Sequence, residues 1–124
     1  MPSEGRDYRL PELTPRDISL IGQSLRAAVE GPFFPDWEFA TLMGMSRSDL
    51  ARVQQEWPRN IEQDAVRTAV NNALNNLIGY PHGLDEAWES YISAPPAEIA
   101  EVLRRWRGEA TLQMDTGGYF ERME

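Results

Sequence analysis

Residues 61–78 read IEQDAVRTAVNNALNNLI, and this stretch decides the fold. Val66, Ala69, Val70, Ala73, Leu74 and Leu77 recur at steps of three and four, which on a helix of 3.6 residues per turn places them on one stripe. It is the longest periodic run in the chain and predicts a central helix. Asn60 and Gln63 supply the start signal, and Gly79 with Pro81 the stop. Asn71, Asn72, Asn75 and Asn76 interrupt the stripe as two pairs four residues apart. Asn is a poor helix former because its amide competes for backbone hydrogen bonds, so each costs roughly half a kcal/mol relative to Ala. Such a face either binds a partner or ties neighbouring loops by amide hydrogen bonds, or it is simply a solvated or loop-bracing face, and the plainer reading is the better supported.

Working outward, the same period recurs on both sides. Thr14 caps a helix, Pro15 suits its first turn, and Asp17 completes a capping box. Ile18, Ile21, Leu25, Ala28 and Val29 form its stripe, and Gly31-Pro32 ends it. Phe33-Phe34-Pro35 makes a bulky hinge before a short helix from about Asp36 to Met43, closed by Gly44. Ser46 with Asp49 opens a third helix, which turns Leu50, Val53 and Trp57 inward and stops at Pro58. Beyond residue 78, Leu84, Ala87, Trp88, Tyr91 and Ile92 suggest a fifth helix. Ile99, Val102, Leu103 and Trp106 mark a sixth after Pro95-Pro96. Arg104, Arg105 and Arg107 sit in its last turn, where the helix dipole favours cations. No segment alternates as a strand does. The expectation is all-α: a compact bundle of five or six short, obliquely packed helices forming a single domain over 14–107. Residues 1–13 read as a flexible tail and 108–124 as a loosely ordered one.

The 124 residues fit one domain, and an apolar share of 41% can fill its core without staples. There is no cysteine, which removes disulfides, thiolate chemistry and the usual structural zinc sites and fits a reducing compartment. No signal peptide or membrane span is apparent, so the expected location is the cytoplasm. Twenty acids against 12 bases, all of them Arg, give a net charge of −8. The absence of Lys excludes P-loop, Schiff-base and kinase-type chemistry. The negative field disfavours nucleic acid and anionic membranes.

Residues 36–55, DWEFATLMGMSRSDLARVQQ, carry the most specific local signal. They resemble the helix-turn-helix of bacterial DNA-binding proteins. Ala40 stands where two helices pass closely, and Gly44, four residues on, stands where the turn needs a positive φ. Phe39, Met43, Met45, Leu50 and Val53 take the buried positions. The resemblance implies that Ser46, Arg47, Ser48, Arg52 and Gln55 face a major groove. Against it, Asp36–Trp57 holds four acids and two bases, too few cations to neutralise phosphate. The segment reads better as two packed helices than as a DNA reader.

Other constellations give way to plainer readings. His82, the one histidine, lies in a turn and has no second His or Cys to complete a site. Asp85 with Glu89, and Glu98 with Glu101, share faces that read as solvated. No nucleophile elbow, phosphate loop, EF-hand loop or diiron motif is present, so no catalytic residue, metal or cofactor is expected. Phe33, Phe34, Trp37 and Phe39 cluster around the hinge, and read as core plugs in preference to a docking patch.

The runs GPFFPDWEFATLMGMSR (31–47) and AVNNALNNLIGYPHG (69–83) are similar to a group of small helical proteins predicted from actinobacterial genomes. The resemblance implies a helical domain and a cytoplasmic setting, and carries no site. The functional expectation is a non-enzymatic protein that binds a protein partner as regulator, adaptor or inhibitor. Its candidate contact residues are Phe33, Phe34, Trp37, Asn72, Asn75 and Asn76. The alternative is a DNA-binding regulator using Ser46, Arg47, Ser48, Arg52 and Gln55. Homodimer formation through an uncovered apolar stripe stays open.

Overall fold

The computed structural model describes residues 13–80 and 82–108. It contains six helices: α1 (Pro15–Glu30), α2 (Asp36–Met43), α3 (Arg47–Glu56), α4 (Asp64–Gly79), α5 (Asp85–Tyr91) and α6 (Pro96–Arg107). The two tails anticipated from the sequence lie outside the described residues, apart from Leu13 and Gly108.

Several helix ends have a local cause. Thr14 Oγ1 accepts from the Asp17 amide at 3.0 Å, and Asp17 Oδ2 accepts from the Thr14 amide at 3.2 Å, a reciprocal capping box. At α3, Ser46 Oγ accepts from the Asp49 amide at 3.1 Å, the forward half of the expected box. Gly44 and Gly108 close α2 and α6 with φ of 78°, a left-handed conformation that costs a residue with a Cβ. The start of α4 differs from the sequence expectation. Asn60 does not cap it; the chain makes consecutive tight turns through residues 57–63, and the helix begins at Asp64. Asn60 instead turns into the structure, where its Nδ2 donates to the carbonyl of Val53 at 3.1 Å.

The α4 stripe lies at the centre of the domain. Val66, Ala69, Val70, Ala73, Leu74 and Leu77 are all buried, against α6, α1 and α2. Leu20, Ile21, Leu25, Ala27 and Ala28 of α1 and Ile99, Val102, Leu103 and Trp106 of α6 complete the core. α3 lies mainly on α1, with Leu50 buried and Trp57 Nε1 donating to the carbonyl of Ile18 at 2.9 Å. One ion pair sits at the edge of the core: Arg105, its side chain 35% exposed, grips the buried Asp17 with two bonds of 2.9 Å. Beside it Arg16 pairs with Glu98, and Arg104 pairs with Glu101. No helix among the described residues is long and apolar enough to cross a membrane.

Candidate functional site

Past its first turn the α2 helix is apolar except for Thr41, yet only one side of it is covered. Between Glu38 and Arg47 there is no charged residue. Phe39 and Met43 are buried on the inner side, while Trp37, Ala40, Thr41 and Gly44 are exposed. Those four follow the i, i+3, i+4, i+7 spacing of a single helical face. Trp37 is 79% exposed, the one large hydrophobic so placed among the described residues.

The platform beneath this face is fixed from three directions. From below, Arg47 spreads its guanidinium under the hinge. Its Nη1 donates to the carbonyls of Val29 at 2.7 Å and Ala28 at 3.4 Å, and its Nη2 to Phe34 O at 3.2 Å and Asp36 Oδ1 at 2.8 Å. The same group lies 4.2 Å from the centre of the Phe39 ring. Arg47 thus satisfies carbonyls that the last turn of α1 leaves open and ties them to the first turn of α2. From the side, Asn72 Nδ2 donates to Met43 O at 2.9 Å and Asn76 Nδ2 to Leu42 O at 3.0 Å, closing the C-terminal end of α2. From the hinge, Phe33 and Phe34 are buried, and Phe34 meets the Tyr80 ring at 5.5 Å. The Tyr80 hydroxyl donates to Glu38 Oε1 at 2.5 Å. That bond to Glu38, reinforced by burial and by the carboxylate charge, raises the tyrosine pKa above its ordinary value.

No family model, curated protein or solved structure matches the chain. Its chemistry therefore rests on geometry alone.

The structure separates residues that the sequence had grouped. Of the six candidate partner contacts, Trp37 is freely presented. Phe33 and Phe34 are core, because the hinge must plug the angle between α1 and α2. Asn72 and Asn76 are spent on α2 carbonyls, which is the bracing reading of the Asn face. Asn75 is exposed and its Oδ1 accepts from Arg107 Nη2 at 3.4 Å, while Asn71 Oδ1 accepts from Arg107 Nε at 2.7 Å.

The helix-turn-helix positions are also redistributed. Gly44 has the required positive φ, but Ala40 is exposed and does not lie at a helix crossing. Arg47 is not an outward reader; four protein acceptors and an aromatic ring hold it. Ser46 caps α3, with Ser48 Oγ 3.2 Å away, and Arg52 stands 3.5 Å from Asp49. Ser48, Arg52 and Gln55 are exposed.

Both ring nitrogens of His82 are occupied by backbone. Nδ1 accepts from the Leu84 amide at 3.0 Å, which leaves Nε2 to donate to Leu77 O at 3.1 Å. The ring lies edge-on to Phe33 at 4.9 Å and packs as a loop anchor. Glu101 is exposed and Glu98 half-buried, and each takes part in a surface ion pair, with Arg104 and Arg16 respectively. A hollow of about 510 Å³ beside Trp88 and Glu89 contains Ser93, whose amide and hydroxyl both donate to Gln23 Oε1. Among the described residues no three His, Cys, Asp or Glu side chains converge as metal ligands.

A groove that sequence reasoning missed runs between α3 and the start of α4. It measures about 360 Å³, and its lining includes Met45, Asp49, Arg52, Glu56, Asn60 and Gln63. Asn60 was legible only as a cap, so nothing in the sequence marked it as a lining residue.

Proposed function

We propose that this protein works by contact, binding a protein partner through the outer face of α2 with Trp37 as the anchor. One observation carries the reading: a Trp left 79% exposed on a helix braced by Arg47, Asn72, Asn76 and the Tyr80–Glu38 bond. Rigid presentation lowers the entropic cost of binding, and Trp is enriched among interface residues that dominate affinity. Covering it releases roughly 4 kcal/mol at about 25 cal/mol per Å² of apolar area. A role as regulator, adaptor or inhibitor in the cytoplasm fits a chain with no cysteine and a net charge of −8.

DNA binding is the weaker reading. It loses Arg47 to the platform and half-neutralises Arg52 through Asp49, leaving few cations for phosphate.

The test is capture from the native host with immobilised wild type, Trp37→Ala and Gln55→Ala proteins. A protein retained by wild type and Gln55→Ala but released by Trp37→Ala is the expected result. Because Trp37 touches little of the fold, Trp37→Ala should melt within about 0.5 kcal/mol of wild type, so lost capture reports the surface. Retention indifferent to Trp37, or salt-dependent binding of genomic fragments that Arg52→Ala abolishes, overturns the reading.

A further inference from the structure

The exposed face of α2 ends at Gly44, and the next residue, Met45, opens the groove between α3 and α4. Three features give that groove an appetite for positive charge. Glu56 sits in the last turn of α3, where the helix dipole already places negative potential, and it makes no ion pair among the described residues. Asp49 shares the groove with Arg52, 3.5 Å away, so the ionic lining is two acids to one base. Asn60 is 4% exposed, and its Oδ1 is a buried acceptor with no donor among the described residues. Such an acceptor keeps its desolvation cost until something donates to it. The N-terminal end of α4, which borders the groove through Ala65, is already supplied with the carboxylates of Glu62 and Asp64.

We propose that this groove receives an arginine or lysine side chain of the segment that Trp37 anchors, so that the partner is a short basic stretch carrying one large apolar residue. This rests on the reading of Trp37 as an anchor. Charge favours this occupant over a second copy of the chain, since two molecules of net charge −8 repel. Area favours it too. An eight-residue helix is about 12 Å long and offers a few hundred Å², short of the about 800 Å² per side of a stable pair. A peptide-sized ligand fits that footprint.

The test is selection of random dodecapeptides displayed on phage against the full chain, with parallel screens on Trp37→Ala, Glu56→Gln and Glu56→Lys. Glu56 is exposed, so both Glu56 variants should fold. The selected peptides should pair an aromatic or aliphatic residue with Arg or Lys and should require Trp37. Their affinity should fall about three- to tenfold in Glu56→Gln. Selection on Glu56→Lys should lose the preference for basic residues. Peptides that need Trp37 but carry no basic residue, or that ignore both Glu56 changes, overturn the groove assignment and leave the anchor standing. If no peptide depends on Trp37, both fall. Self-association by sedimentation that Trp37→Ala abolishes identifies the occupant as a second copy and overturns the proposal as well.

Discussion

Arg47 shows how a single residue changes meaning between sequence and structure. In the sequence it falls among the positions that a helix-turn-helix would turn outward; in the folded chain its fork is used up on carbonyls of α1 and the hinge. The residue reads as surface in one dimension because the carbonyls it satisfies lie 18 and 19 positions earlier. Hydrogen bonds from a charged donor contribute about 1.5–3 kcal/mol each when their acceptors are shielded, and one side chain here makes several. Arg47→Lys should therefore lower stability by about 2 kcal/mol, since an ammonium cannot span the divergent acceptors or lie flat on Phe39. Urea unfolding measures it. A loss below about 0.5 kcal/mol would show that the fork is replaceable.

At the scale of elements, α2 is the piece that cannot stand alone. It has eight residues, no side-chain N-cap bond and apolar residues on both sides, so it depends on what α4 and Arg47 lend it. The Asn72–Asn76 pair costs α4 some helix propensity and returns it by closing α2, while Asn71 and Asn75 accept from Arg107. Gly44 is the second half of that arrangement: its φ is 78°, and an added Cβ would stand 3.1 Å from Asn72 Nδ2. Gly44→Ala is expected to cost about 1–2 kcal/mol through the left-handed backbone alone. It should also displace Asn72 and loosen the anchor, so amide exchange in α2 should quicken more than exchange in α1 or α6. Uniform quickening across all helices would show that α2 is not the weak unit.

At the scale of the whole molecule, the Asp17–Arg105 pair joins the first turn of α1 to the last turn of α6 and so ties together residues 88 positions apart. The bond from Arg105 is the main reason the Asp17 pKa lies below the ordinary 3.8; burial pulls the other way and loses. Glu98, beside Arg16, is lowered for the same kind of reason. A carboxylate whose folded pKa is depressed contributes stability that is complete above its unfolded value. That contribution is lost as the pH falls through the folded one. The native protein should hold its stability down to about pH 4 and lose it below. Arg105→Met leaves a buried carboxylate without its cation. It should cost about 3 kcal/mol near neutral pH, with a shallower acid-side decline than in wild type, because protonating Asp17 then relieves the penalty instead of breaking a bond. Urea titrations across that range check both, and overlapping stability curves for the two proteins would remove the pair from any global role.

What the sequence determined by itself was everything set by local periodicity and local chemistry. That covers the six helices, the α4 stripe, the Thr14–Asp17 box, the positive φ at Gly44 and the buried row Ile99, Val102, Leu103 and Trp106. Each depends on residues within a turn or two of one another. What only the tertiary structure decided was which polar groups are spent and which are free. Arg47, Asn72, Asn76 and His82 look available along the chain and are consumed by carbonyls and amides, most of them in other elements. Trp37 looks like one more core aromatic and is left outside, and Asn60 looks like a cap and becomes a groove floor. The physical reason is that a helix period fixes which side of a helix is apolar, whereas the partner of a polar side chain is fixed by whichever backbone group the packing of other helices brings within three ångströms.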